Sequence, residues 1–165
     1  TQAQAEAEAE TRTIFAVAPA GPVAALFETV GARIVRPDEV VETSAAQDIY
    51  LPNGYGGDAG DARVVPTASL VAGLAAISVY EPDNPDTDSM VSVMRDAARS
   101  MRVDSPDEES VEAIIAKSRE MLAGGGEQVT ILSGVELSDA ELSDELDVEV
   151  VAIHVGGITT EIGVE

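Results

Sequence analysis

The stretch from Asp48 to Tyr80 limits this chain's fold more than any other. It opens on the apolar run Ile49-Tyr-Leu51, which stops at Pro52-Asn53 and gives way to a Gly/Asp-rich break. A second run, Arg63-Val-Val65, stops at Pro66-Thr67, and Ser69 then precedes a segment of small and apolar residues from Leu70 to Val79. Short apolar runs ended by proline and a small polar group are the pattern of buried parallel strands with polar loops at their carboxyl ends. In open α/β sheets the binding groups gather at those ends. Asn53, Thr67 and Ser69 are therefore the candidate ligand- or partner-binding residues, with Ser69 also placed to cap the helix that follows.

The rest of the chain adds layers to this stretch. Thr13-Ile-Phe-Ala-Val-Ala18 reads as a buried strand. Pro22 suits the first turn of a helix, and Val23, Leu26, Phe27 and Val30 fall on one face of it before Gly31 ends it. Arg33-Ile-Val35 is the next strand. Further on, Met90, Met94, Ala97/Ala98 and Met101 mark the inner face of a helix starting near Asp88. Ser105-Pro-Asp-Glu108 has the form of a capping box that opens a second helix carrying Val111, Ile114, Ile115 and Leu122. Gln128–Leu132 reads as a strand, and Ser138 with Glu141 caps a short helix. Val148–His154 and Thr159–Val164, joined at Gly156-Gly157, read as an antiparallel β-hairpin lobe. The expected class is α/β: a mostly parallel sheet flanked by helices, in one domain over 13–165 with two lobes.

Two connections conflict with this pattern. Parallel neighbours normally need a crossover of a dozen residues or more, usually helical. Residues 36–47 show no helical face, and 52–62 are too rich in Gly to form a helix. The expectation is that the written chain omits residues near 43–48 and 55–62. Residues 1–12, rich in Ala, Gln and Glu, read as a linker or the tail of an upstream segment.

Charge excludes several function classes. Nine Lys and Arg against 31 Asp and Glu leave a net charge of −22, which repels nucleic acid and anionic membranes. No apolar run approaches the roughly 20 residues needed to span a bilayer, and the first residues lack the basic and apolar regions of a signal peptide. The expected compartment is the cytoplasm. There is no cysteine, and a lone histidine, His154, does not make a metal site. Asp83, Asp86 and Asp88 do not match a calcium loop, and neither a dinucleotide fingerprint nor a P-loop occurs. No catalytic residue is assigned.

Taken in order, Leu51-Pro-Asn53, Val65-Pro-Thr67, Ser69, Gly73-Leu-Ala-Ala76, the acidic proline loop and His154-x-Gly156-Gly157 form a recognisable series. Together with Val17-Ala-Pro19, Leu26-Phe27 and Gly31-Ala32, it resembles the C-terminal domain of the DAK2-domain proteins. These are bacterial fatty acid kinase catalytic subunits of the dihydroxyacetone kinase-like kind. The resemblance implies a DegV-like fold. It implies that ATP and magnesium are held by an upstream DhaL-like kinase domain, and that this domain has no cofactor of its own. The implied role is non-catalytic: docking or regulation with a DegV-type fatty-acid-binding protein that presents an acyl chain for phosphorylation, and with the chain's own kinase domain. A homodimer is compatible with it. The alternative reading of the same sheet edge is direct binding of a small carboxylate or phosphate. Ser44-Ala-Ala-Gln47 stands where the family has an Asn-Pro-Ser-Thr stretch, and the carboxylate-binding motif of DegV lipid binders is absent.

Overall fold

The computed structural model describes residues 12–41 and 44–165. Except for Arg12, the stretch read as a linker lies outside the described residues. The described chain forms two compact units, one ending at Arg99 and the other spanning Ser100–Glu165. Both are α/β, with five helices in all among the described residues.

The first unit runs β1 (Ile14–Val17), α1 (Pro22–Thr29), β2 (Arg33–Val35), β3 (Ile49–Leu51), β4 (Arg63–Val64), α2 (Leu70–Ser78) and α3 (Thr87–Ser100). Its four strands are parallel in the order β2-β1-β3-β4. All four residues of β1 and all three of β3 are buried. Burial on both faces explains why these strands read as continuous apolar runs rather than alternating ones. After β1 the chain passes through α1 to β2 on one side, whereas β3 and β4 build out on the other. The gap between the ends of β1 and β3 is thus a topological switch point.

Residues 36–41 and 44–48 lead to β3, and residues 52–62 lead to β4, through turns and extended segments. Side chains hold these connections down. Asp48 accepts from the backbone N–H of Thr13 at 2.8 Å and of Ala45 at 2.9 Å, fixing the start of β3 beside β1. The Ser44 hydroxyl donates to the Ala59 carbonyl and accepts from the Asp61 N–H, both at 2.9 Å. Arg12 is buried: it donates to the Asn84 carbonyl at 2.7 Å and to the Tyr80 hydroxyl at 3.0 Å, and so ties down the acidic loop after α2.

The helices of this unit follow their sequence pattern with one exception. Met90, Met94 and Ala98 are the buried stripe of α3, and Ser69 caps α2. In α1 the packed residues are Val23, Ala24 and Phe27, while Leu26 and Val30 remain 38% and 37% exposed. Val30 is the C-cap residue, already beyond the last turn, so the expected four-residue face shortens to the turns that meet the sheet.

The second unit runs β5 (Arg102–Asp104), α4 (Val111–Leu122), β6 (Gln128–Ser133), α5 (Asp139–Leu146), β7 (Glu149–His154) and β8 (Glu161–Val164). Its sheet has the order β5-β8-β6-β7 and is mixed. This corrects the expected hairpin. β6, α5 and β7 form a βαβ unit with β6 and β7 parallel, and β8 takes the open flank of β6, antiparallel to it. Residues 155–160 are too long for a two-residue hairpin turn. The apolar residues of β8, Ile162 and Val164, are fully buried, as befits an inner strand. The outer edge of β7 is blunted, as open sheet edges must be: Ser143 accepts from the Val150 N–H at 3.1 Å and Asp139 from the Ala152 N–H at 3.2 Å.

The helix expected to open at Ser105 opens five residues later. Ser110 is the N-cap of α4 and accepts from the Ala113 N–H at 3.2 Å. Starting there turns Ile114 and Ser118 inward, one turn apart. It also leaves Glu109 free to accept from the Thr160 N–H at 2.8 Å. The core of this unit is Ile114, Val129, Ile131, Leu142, Leu146, Val150, Ile162 and Val164. Truncating Ile131, which is fully buried on an inner strand, should leave a cavity that cannot collapse; Ile131→Ala is expected to cost about 2–5 kcal/mol in urea unfolding followed by far-UV circular dichroism.

Candidate functional site

The carboxyl ends of β1, β3 and β4 bring two of the three candidate residues into direct contact. Asn53 is 2% exposed and sits just past β3 in the left-handed region, at φ 53°. Asparagine tolerates that conformation better than most residues. The turn directs its backbone N–H away from β1 and toward Thr67, whose hydroxyl accepts it at 2.9 Å. The Gly54 N–H donates to the Thr67 carbonyl at 3.0 Å. Thr67 is itself 4% exposed.

That turn would leave the last carbonyl of β1 without a partner. The Asn53 side chain supplies one. Its Nδ2 donates to the Val17 carbonyl at 2.9 Å. The Ile49 N–H donates to the Thr13 carbonyl at 2.9 Å in the same ladder. The two bonds have the same offset along both strands, so the carboxamide replaces a backbone rung one step beyond the end of β3. A buried carbonyl left unpaired costs about 1–3 kcal/mol, so this rung matters to the joint between β1 and β3.

Two glycines make the arrangement possible. Gly54 has φ 87°, and a Cβ there would lie 2.6 Å from the Ala68 carbonyl oxygen. Gly73, in α2, lies so close to the Asn53 carboxamide that any Cβ would overlap it. Asn53 Oδ1 faces this contact and has no hydrogen-bond partner. Ser69 completes the edge differently: its hydroxyl accepts from the Ala72 N–H at 3.1 Å as the cap of α2.

The three candidate side chains therefore meet at the switch point, and the bonds they make go to the backbone. Above them the loop from Gly54 to Asp58 is exposed, with Tyr55 40% exposed. Tyr50 anchors this loop by donating to the Gly56 carbonyl at 2.9 Å. Burial, with the Asp58 carboxylate adding to it, pushes the Tyr50 hydroxyl above its ordinary value of 10.0. Sequence reasoning missed the roles of Gly73 and of the Val17 carbonyl. A glycine within the first turns of an apolar helix was the available signal for a close approach. His154 lies exposed at the end of β7.

The fold and this edge define an α/β protein with its polar joint at the carboxyl ends of parallel strands. Residues 57–108 are similar to the FakA-like C-terminal family, a family of fatty acid kinase subunits. The matched stretch holds Thr67, Ser69 and Gly73 and runs through α2, α3 and β5, while Asn53 lies just before it. No curated protein matches the chain.

Two outcomes follow from this geometry. Alanine is the better helix former by ~1 kcal/mol, yet Gly73→Ala should destabilise the protein by about 1–3 kcal/mol, since the added methyl must displace Asn53. Thermal unfolding checks this. Because the folded-state pKa of Tyr50 is raised, its contribution is complete below 10.0 and is lost as pH rises through the folded value. Tyr50→Phe should therefore flatten the fall of Tm with pH above that point.

Proposed function

We propose that this chain is the C-terminal part of a fatty acid kinase subunit, and that it serves as a docking or regulatory module rather than as the site of phosphoryl transfer. The observation that carries this reading is the match of residues 57–108 to the FakA-like C-terminal family of fatty acid kinases. That stretch contains the helix buttressing the Asn53–Thr67 joint and reaches into the loop above it. The partner in this reading is a DegV-type fatty-acid-binding protein that holds the acyl chain, and ATP and magnesium belong to an upstream DhaL-like domain.

The surface assigned to docking is the exposed loop from Gly54 to Asp58. A rigid base supports it. The joint fixes one end through Gly54, and Tyr50 holds the middle through Gly56. Preorganised loops lose less entropy on binding than mobile ones. The reading in which the same edge holds a carboxylate or phosphate has less support. The unpartnered Asn53 Oδ1 is an acceptor and offers nothing to an anion, and the Ser69 hydroxyl already caps α2. Among the described residues, no helix is long and apolar enough to cross a membrane.

Calorimetric titration of the chain with a lipid-loaded DegV-type protein tests the proposal. Saturable binding in the absence of ATP is the expected result, weakened at least tenfold by Tyr55→Ala. Heat of dilution alone, up to the solubility limit of the partner, would move docking to another part of the kinase.

A further inference from the structure

A second surface, in the unit spanning Ser100–Glu165, has a different chemistry. Helices α4 and α5 leave a groove of about 510 Å³ between them. Its floor is apolar: Val111 and Ile115, one turn apart on α4, with Leu137 and Leu142 from the α5 side. Val111 is 38% exposed, and Ile115 and Leu137 are half-buried against the core cluster. The rim is acidic, made by Glu136, Glu141, Asp144 and Glu145. Glu145 is neutralised by Arg119 at 2.8 Å, but Glu136, Glu141 and Asp144 have no ion pair among the described residues.

We propose that this groove docks an amphipathic helix of a partner protein, with its apolar side chains on Val111, Ile115 and Leu142 and with Lys or Arg along its flanks. Two neighbouring helices with an apolar furrow accept a third through anchors spaced at i, i+3, i+4 and i+7. The three unpaired carboxylates select the sign of the flanking charge. They disfavour the other occupants by the same argument. The chain's own opening stretch carries Glu6, Glu8 and Glu10 and no Lys or Arg before Arg12, and a second copy brings a net charge of −22. Small carboxylates and phosphates meet the same repulsion. This inference rests on the second unit alone and is independent of the fatty acid kinase reading.

The test uses two labelled helical peptides with the same leucine face, one flanked by lysines and one by glutamates. Each is titrated with the full chain in fluorescence anisotropy. The lysine-flanked peptide should saturate and the glutamate-flanked one should not. Reversing the rim with Glu136→Lys plus Asp144→Lys should weaken the lysine peptide at least tenfold. Both positions are exposed and outside the helix caps, so folding should persist, and circular dichroism confirms it. Ile115→Glu, which alters the floor instead of the rim, should abolish binding. Equal affinity for the two peptides, failure of both to saturate, or undiminished binding by the reversed rim would overturn the proposal. So would sedimentation showing a dimer that the rim reversal breaks, because the groove would then belong to a second copy.

Discussion

The Asn53 carboxamide reaches the Val17 carbonyl across the point where the first sheet changes direction, and the local architecture of that unit follows from this bond. A parallel sheet that grows both ways from a central strand opens a crevice where its first two connections part. Here the crevice is closed at its base by a side chain that imitates the main chain. Once Asn53 has turned into the left-handed region, its N–H goes to Thr67 and its side chain completes the ladder with β1. The helix α2 must then come close enough to cover the carboxamide, and only glycine at position 73 allows that approach. The opposite end of the same strand is fixed by Asp48, which binds two backbone N–H groups. β3 is only three residues long, so these two side chains give it the definition that its length cannot.

The acidity of the chain acts on surfaces rather than on the fold. Excess charge of one sign opposes compaction and sets which partners approach. Most of the carboxylates are exposed, and few have a cation nearby. Where they border apolar ground, as on the groove between α4 and α5, they turn a generic sticky patch into one that discriminates by charge. The loop above the Asn53 joint offers the contrasting case, a surface shaped by glycine conformations and a single exposed tyrosine.

Features set by local chemistry were legible in the sequence. Ser69 and Ser138 act as caps because each precedes an uninterrupted helical segment. The stripe of Met90, Met94 and Ala98 follows directly from helical periodicity. The runs at β1 and β3 announced a sheet covered on both faces. What depended on pairing was not legible. β5 is three residues on a sheet edge, too short to carry a period, and takes its position from β8 and from Arg102 donating to the Met121 carbonyl. β8 could have paired with β7 by proximity in sequence, but the place beside β6 buries Ile162 and Val164 more completely. Two serines competed to open α4, and Ser110 won because it turns Ile114 into the core. At the candidate site, Asn53, Thr67 and Ser69 could be named from their place after strands, whereas their roles required the register between β1 and β3 and the approach of α2.

Hydrogen exchange at individual amides, followed by nuclear magnetic resonance, tests the joint most directly. If Asn53 is a true extension of the ladder, its N–H and that of Gly54 should exchange only through the opening that releases the Ile49 N–H inside β3. The Gly56 N–H, in the exposed loop above, should exchange far faster. Exchange of Asn53 and Gly54 at the rate of Gly56 would show that the strand ends at Leu51, that the switch point is open, and that the Asn53 carboxamide does not hold this unit together.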